Sequence, residues 1–231
     1  MIKRKRLGQH FLTSNSIAEK IVRAAKITNT DTVLEIGTGK GILISLLCKN
    51  AKKVISIDAD KMLYEKAKKQ FSNLPNLELQ HGDGFKTGEK FDVLVSNLPY
   101  SKSREAIEWL TQQKFDRAVI MVQKEFAEKL LSNTEKRAIS ILAQYCLDIE
   151  KVLHVGKENF NPPPKIDSVV LSITSKRTLS LKMIHAVNRL FSYRRKTLQN
   201  ILKRFDITSD SKKRLDEIDG DEIIKIAKQI A

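Results

Sequence analysis

Only two of the 231 residues are cysteine, and both, Cys48 and Cys146, stand in apolar stretches. That leaves no disulfide framework and reads as two reduced core positions. Histidine is nearly as scarce: His10, His81, His154 and His185 are scattered and fall at no zinc-ligand spacing with the cysteines. Long apolar runs are missing too. The longest, Ile42 to Cys48, is broken by Ser45 and is far too short to cross a bilayer. The charged N-terminus lacks the apolar region that a signal peptide needs after it. These absences exclude a disulfide scaffold, a zinc module and a membrane-spanning chain. The expectation is a soluble, cytoplasmic protein with no metal and no membrane partner.

Acidic residues are also in short supply. Lys and Arg number 42 against 27 Asp and Glu, a formal charge of +15, which is more than solubility requires and is most simply explained by a polyanionic partner. The surplus is clustered. Lys3, Arg4, Lys5 and Arg6 form a basic arm, and nine Lys and Arg with no Asp or Glu lie between Lys176 and Phe205. Such clustering favours a phosphate-facing surface over an evenly charged skin.

Apolar periodicity then supplies a skeleton. Helical spacing over Ser14–Ala25 precedes a strand at Thr32–Ile36, a glycine-bearing turn and a helix at Ile42–Asn50. Strands follow at Lys53–Ile57, Leu77–Gln80, Phe91–Ser96 and Ala118–Val122, with helices at Asp60–Phe71, Glu105–Gln113, Lys124–Leu131 and Arg137–Tyr145. Ile149–Val155 and Ser168–Thr174 can form a late antiparallel pair joined through Pro162, Pro163 and Pro164. Strands alternating with helices imply a mostly parallel sheet covered on both faces, with ligands at the carboxyl ends of its strands. From Lys176 the character changes. Met183, Ile184, Val187, Leu190, Phe191, Leu198, Ile201 and Leu202 mark one face of a long helix with a basic opposite side, and Asp221–Ile230 is a last helix. The predicted organisation is a Rossmann-like α/β domain at 1–175, with the basic arm, and a small C-terminal helical domain at 176–231.

Gly37, Gly39 and Gly41 fall in one strand-to-helix turn, where glycine lets the backbone come close to a ligand. A dinucleotide fingerprint needs glycine at position 42, which is Ile42, and a P-loop needs Ser or Thr after Gly-Lys, where Lys40 is followed by Gly41. Both are disfavoured. Alternating glycines suit S-adenosylmethionine, which carries a carboxylate and an adenosine but no pyrophosphate. Asp58, at the end of the second strand, is placed to accept from ribose hydroxyls, and Asp83 in His81-Gly-Asp-Gly84 to accept from an adenine amine. Glu35 either holds the glycine loop or meets the methionyl amine.

Asn97-Leu98-Pro99-Tyr100, directly after an apolar strand, can be an ordinary turn, but it also suits the gripping of an amine-bearing ring. An exocyclic adenine amine is a poor nucleophile because its lone pair is delocalised. Donating both hydrogens to the Asn97 side-chain oxygen and the Leu98 carbonyl would draw them out of the ring plane and free that pair. Pro99 restricts the backbone, and Tyr100 can stack on the base. No strong base is needed, so catalysis is alignment and electrostatics. Phe160 could give a second aromatic face or sit in the core. Arg194, Arg195 and Lys196 would hold phosphates, fixing position without reading bases.

Leu7-Gly-Gln-His-Phe-Leu12, Leu34-Glu-Ile-Gly-Thr-Gly-Lys-Gly41, Gly82-Asp83, Asn97-Leu-Pro-Tyr100, Gln123-Lys-Glu-Phe-Ala-Glu-Lys-Leu130, Phe160-Asn-Pro-Pro-Pro-Lys-Ile-Asp-Ser168 and Phe191-Ser-Tyr-Arg-Arg-Lys-Thr-Leu-Gln-Asn200 occur in that order over nearly the whole chain. In this the sequence resembles the ribosomal RNA adenine N6,N6-dimethyltransferases, more the small-subunit dimethyladenosine synthases than the related macrolide-resistance enzymes, and in its compact C-terminal part the archaeal members. The resemblance implies that His10 and Leu12 complete the cofactor pocket, that Gly37 and Gly39 meet the methionyl end, Asp58 the ribose and Asp83 the adenine, and that Asn97 bridges cofactor and target. It also implies a substrate of two adjacent adenosines in a hairpin loop near the 3′ end of small-subunit ribosomal RNA, each dimethylated in an assembling subunit by a monomeric enzyme. Two departures stand out: Asp58 where the family usually has Glu, and a shortened connection at Leu131–Arg137. The rival readings are a DNA adenine methyltransferase, disfavoured because no large target-recognition domain is added, and a ribosome-assembly binding factor.

Overall fold

Five short segments, each flanked by helices, pair in parallel as a βαβ sequence dictates; four are buried on both faces, and the edge segment Leu77–His81 is only half-buried. The computed structural model describes residues 10–134 and 136–231; the basic arm at Lys3–Arg6 and the Leu7-Gly8-Gln9 part of the first motif lie outside the described residues. The strands are β1 (Phe11–Leu12), β2 (Thr32–Ile36), β3 (Lys53–Asp58), β4 (Leu77–His81), β5 (Val93–Ser96), β6 (Arg117–Gln123), β7 (Leu147–Val155), β8 (Phe160–Asn161) and β9 (Ser168–Ser175). The helices are α1 (Asn15–Ala24), α2 (Ile44–Asn50), α3 (Lys61–Gln70), α4 (Ser103–Leu110), α5 (Lys124–Leu131), α6 (Ala138–Cys146), α7 (Leu181–Ser192), α8 (Leu198–Leu202) and α9 (Gly220–Ile230).

The main sheet runs in the order β4-β3-β2-β5-β6-β9-β7. β2 pairs in parallel with both β3 and β5, so the chain reverses its winding between β2 and β5. Their carboxyl ends open a crevice at that point, the usual ligand position in open α/β sheets. β9 lies antiparallel to β6, with Ser168 opposite Gln123. A second, two-stranded sheet ties Phe11 to Asn161 and Leu12 to Phe160. Side chains of α1, α2 and the central strands, among them Ile21, Leu43, Leu47, Val54 and Val95, form the core on one side of the sheet. Caps follow sequence: the Ser14 hydroxyl accepts from the Ile17 amide and Asp60 from the Met62 amide, starting α1 and α3.

The chain divides into two compact units: Met1–Ala106, Lys114–Ala127 and Ile149–Thr174 in the first, Ile107–Gln113, Glu128–Asp148 and Ser175–Ala231 in the second. The helical unit thus takes in chain from before position 176, the boundary expected from the change in sequence character. The cause is packing: Ala138, Ile141 and Leu142 of α6 share a core with Val187 and Leu190 of α7 and Ile223 and Ala227 of α9. The expected single helix through Met183–Leu202 is two helices. After α7 the amides of Arg194 and Lys196 bond the carbonyls of Phe191 and Tyr193, and Thr197 is extended before α8. Arg194, Arg195 and Lys196 therefore occupy an exposed turn and not a helix face.

Candidate active site

The crevice at the β2–β5 switch point is the site, and backbone hydrogen bonds fix its floor. The Gly37 amide donates to the Ile57 carbonyl over 2.8 Å, the Gly82 amide to the Asp58 carbonyl over 3.0 Å, and the Ser96 hydroxyl to the Ile36 carbonyl. The cleft takes in about 1060 Å³ including its open mouth, enough for a nucleoside-sized ligand. Its walls include His10, Leu12, Gly37, Gly39, Asp58, Asp83, Asn97, Leu98 and Pro99, so nine sequence-predicted residues from five separate stretches meet in one place.

The glycine loop is shaped by conformations that side chains resist. Gly39 has φ +57, and a Cβ there would stand 3.5 Å from the Phe11 ring. Gly41 has φ +76, and a Cβ would come within 2.3 Å of the Phe71 ring. Asp58, 6% exposed, braces this loop: Oδ2 accepts from the Gly39 amide and Oδ1 from the Asp60 amide, each over 2.8 Å. Burial raises its carboxyl above the ordinary range, and the two amides pull it back down. Asp83 accepts from the Phe85 amide at 3.1 Å, which fixes its carboxylate at the cleft.

Glu35 is 1% exposed, and its Oε2 accepts from the Ser56 hydroxyl at 2.5 Å; Ser56 also lies 2.6 Å from Thr38 Oγ1. Register places Glu35 opposite Ser56 on the neighbouring parallel strand. Burial pushes the Glu35 carboxyl up to about 8; the Ser56 bond opposes this and the Asp58 charge adds to it. The unfolded chain loses this proton near 4.5, so between 4.5 and about 8 only the folded protein keeps it. The associated stability is complete below 4.5 and fades as pH rises through 8. Relative to Glu35→Gln, the wild type is expected to lose about 1 kcal/mol per pH unit across that window, read from urea unfolding at several pH values. Parallel slopes in the two proteins would contradict this.

Asn97 and Leu98 leave β5 at the cleft edge, where the Asn97 carbonyl stands 3.9 Å from the Cβ position of Gly37. Leu98 is anchored at 3% exposure. Pro99 is extended, and its carbonyl accepts from the Lys102 amide, turning the chain into the short helical turn Tyr100–Lys102. Among the described residues no hydrogen bond reaches the Asn97 side-chain amide or the Leu98 carbonyl. Tyr100 stands beside the cleft lining, its hydroxyl 2.6 Å from Ser168 Oγ and its ring stacked on His10. Phe160, expected either to give a second aromatic face or to sit in the core, takes the second place: it is 4% exposed, and its pairing with Leu12 across β1–β8 turns both side chains inward.

Sequence reasoning missed Phe11, Asp60, Phe85 and Lys102 in the walls, and left Lys40 with no role there. Phe11 was accessible in principle, since strand alternation against buried Leu12 points it to the opposite face. Lys40 Nζ lies 5.1 Å from the Phe11 ring centroid, so a cation caps the loop. In the helical unit, Arg194 and Arg195 line a depression with Lys136, Arg214 and one acid, Asp216. Among the described residues no His, Cys, Asp and Glu cluster could hold a metal, and no helix is long and apolar enough to cross a membrane.

The donor set fits S-adenosylmethionine: carboxylates for hydroxyls, amines and a cation, and a tight glycine loop with no phosphate cradle. Fold, cleft and family together define a Rossmann-like methyltransferase that uses S-adenosylmethionine. The sequence pattern of the family described as "Ribosomal RNA adenine dimethylase" matches residues 2–228, and the chain belongs to that family. It is 36% identical over 202 residues to the probable ribosomal RNA small subunit methyltransferase A of Pyrococcus abyssi, covering 86% of this chain and 75% of the relative. With ribosomal RNA small subunit methyltransferase A of Thermotoga neapolitana it shares 33% over 233 residues, 96% and 90% of the two chains. A dimethyladenosine transferase crystal structure from Plasmodium falciparum superposes with a TM-score of 0.81 at 33% identity, covering 94% and 96%. The 23S rRNA methyltransferase ErmE, at 20% identity and a TM-score of 0.71 over 95% and 99%, shares the fold. The protein is an S-adenosylmethionine-dependent enzyme that dimethylates adenine N6 in ribosomal RNA, and it binds that RNA.

Proposed function

We propose that the substrate is small-subunit ribosomal RNA in an assembling subunit, and that each of two adjacent adenosines in a hairpin loop near its 3′ end receives two methyl groups from this enzyme, acting as a cytoplasmic monomer. The small-subunit assignment is supported by the names of the Pyrococcus and Thermotoga relatives. The observation that carries the chemistry is the pair of open acceptors, the Asn97 side-chain oxygen and the Leu98 carbonyl, at the edge of the cofactor cleft. An adenine amine donating to both has its lone pair freed from the ring. When bound, the sulfonium donor supplies the transferable methyl group.

In this reading His10, Leu12, Gly37, Gly39, Asp58 and Asp83 hold the cofactor, and Asn97 touches both cofactor and target. Pro99 fixes the direction of the Leu98 carbonyl, and Tyr100 stacks on a base already outside a helix. Arg194, Arg195 and Lys196 hold phosphates. Incubating the enzyme and donor with undermodified small subunits, and separately with duplex DNA, tests the substrate. Methyl transfer to the subunits is expected; activity on DNA alone would overturn the reading.

Replacing Arg194 and Arg195 together by Ala is expected to weaken subunit binding about 10- to 100-fold and to flatten the salt dependence. The plot of log affinity against log salt should lose roughly 1.5 units of slope, since each cation that neutralises a phosphate contributes about 0.7 to 0.9. A filter-binding series from low to moderate salt reads both. An unchanged slope would leave these arginines as solvated surface.

A further inference from the structure

Tyr100 is held from two directions, by Ser168 directly and by His10, which is itself anchored to the same later segment. Its hydroxyl lies 2.6 Å from Ser168 Oγ, and Ser168 is fully buried at the first position of β9. β9 is itself fixed by pairing with β6, Ser168 opposite Gln123. One face of the Tyr100 ring carries the His10 imidazole, with centroids 5.6 Å apart and planes at 28°. His10 is anchored in turn: its Nδ1 is 2.8 Å from the Pro162 carbonyl, which can only accept, so Nδ1 carries the proton. The two anchors are the first residue of the triple-proline run, Pro162, and Ser168 four residues after its end.

We infer that Ser168 is a positioning residue for methyl transfer, holding the Tyr100 ring in place while the His10 stack sets its plane, so that the target base stacks on the face His10 leaves open. This rests on Tyr100 being the platform for the base. The Leu98 carbonyl belongs to the main chain beside a buried side-chain anchor, and the Asn97 side chain springs from the end of a buried strand. A tyrosine ring on the surface of a short helical turn has two free torsions, and only contacts at its rim and faces can stop them. The hydrogen bond to a strand residue stops the first by holding the hydroxyl end of the ring, and the His10 stack stops rotation about the second. A ring that swings leaves the amine misaligned with its two acceptors, and misalignment of that size costs rate more than affinity.

The test compares the wild type with Ser168→Ala, Tyr100→Phe, the double variant and Tyr100→Ala on undermodified small subunits at saturating donor. Ser168→Ala and Tyr100→Phe delete the same bond from opposite ends, so each should lower kcat about tenfold. The double variant should fall no further than either single one, because the two changes act through one contact. Donor affinity by calorimetry and the thermal midpoint should stay at wild-type values, which a general packing defect would not allow. Losses that multiply in the double variant, or an unchanged kcat in Ser168→Ala and Tyr100→Phe while Tyr100→Ala is impaired, would overturn the positioning role. Full activity in Tyr100→Ala would instead overturn the stacking role of Tyr100, and the inference with it.

Discussion

Asn97→Ala is expected to lower methyl transfer at least about a hundredfold while subunit binding stays within about twofold. The size follows from what the side chain does. Of the two acceptors offered to the target amine, the Leu98 carbonyl belongs to the backbone and survives, but one acceptor cannot hold both amine hydrogens out of the ring plane. Losing a donor or acceptor aimed at developing charge in a water-poor site typically costs about 10²–10³ in kcat. Binding should hardly change, because RNA affinity comes mainly from phosphate contacts. Asn97 is half-buried and its side chain makes no hydrogen bond with other described residues, so its truncation leaves no described donor or acceptor unpaired. Single-turnover rates beside filter binding separate the two effects. Turnover near the wild-type value would show that the amine is held elsewhere.

Asp58→Ala is expected to weaken S-adenosylmethionine binding about a hundredfold, with Asp58→Asn falling between. The aspartate performs two tasks at one point. Its two oxygens hold the Gly39 and Asp60 amides, so its loss leaves two sheltered N–H groups without acceptors and releases the glycine loop. An unsatisfied buried donor costs about 1–3 kcal/mol, which alone gives one to two decades in affinity if the loop order is needed for binding. Asparagine keeps one oxygen acceptor and so preserves one of the two bonds. A second readout separates loop bracing from simple ligand contact. The Asp58 charge helps raise the Glu35 carboxyl, so Asp58→Ala should narrow the pH window in which Glu35 affects stability. Calorimetric titration with the donor, and urea unfolding at several pH values, check the two parts. Donor affinity unchanged in Asp58→Ala would remove Asp58 from the site.

Much of this was legible in the residues. The strand Thr32–Ile36 and the helix Lys124–Leu131 coincide with their expected spans, since a buried strand and an amphipathic helix both write their period into the sequence. Glycines and acids at the ends of successive strands converge because parallel strands all end on one edge of the sheet. The failures are equally physical. Phe191 and Leu198 are seven residues apart, two helical turns, so apolar spacing stays in phase across the turn that separates α7 from α8. Between the two places open to Phe160 the sequence could not choose, because what draws it into the core is a two-residue pairing with Leu12, some 150 positions earlier. That contact is too short and too distant for any local pattern to show. The bond between Glu35 and Ser56 depends on the register of two parallel strands, which periodicity does not specify. Asp58 was read as a ribose ligand, and its additional grip on Gly39 emerges only from loop geometry.

Mapping methyl groups by mass spectrometry, after undermodified small subunits are incubated with enzyme and S-adenosylmethionine, tests the central claim most directly. The account predicts N6,N6-dimethyladenosine at two adjacent positions in a hairpin loop near the 3′ end of the small-subunit RNA, and its absence when the enzyme carries Asn97→Ala. Methylation at isolated or scattered adenosines, at another base, or undiminished in the Asn97→Ala enzyme would contradict it.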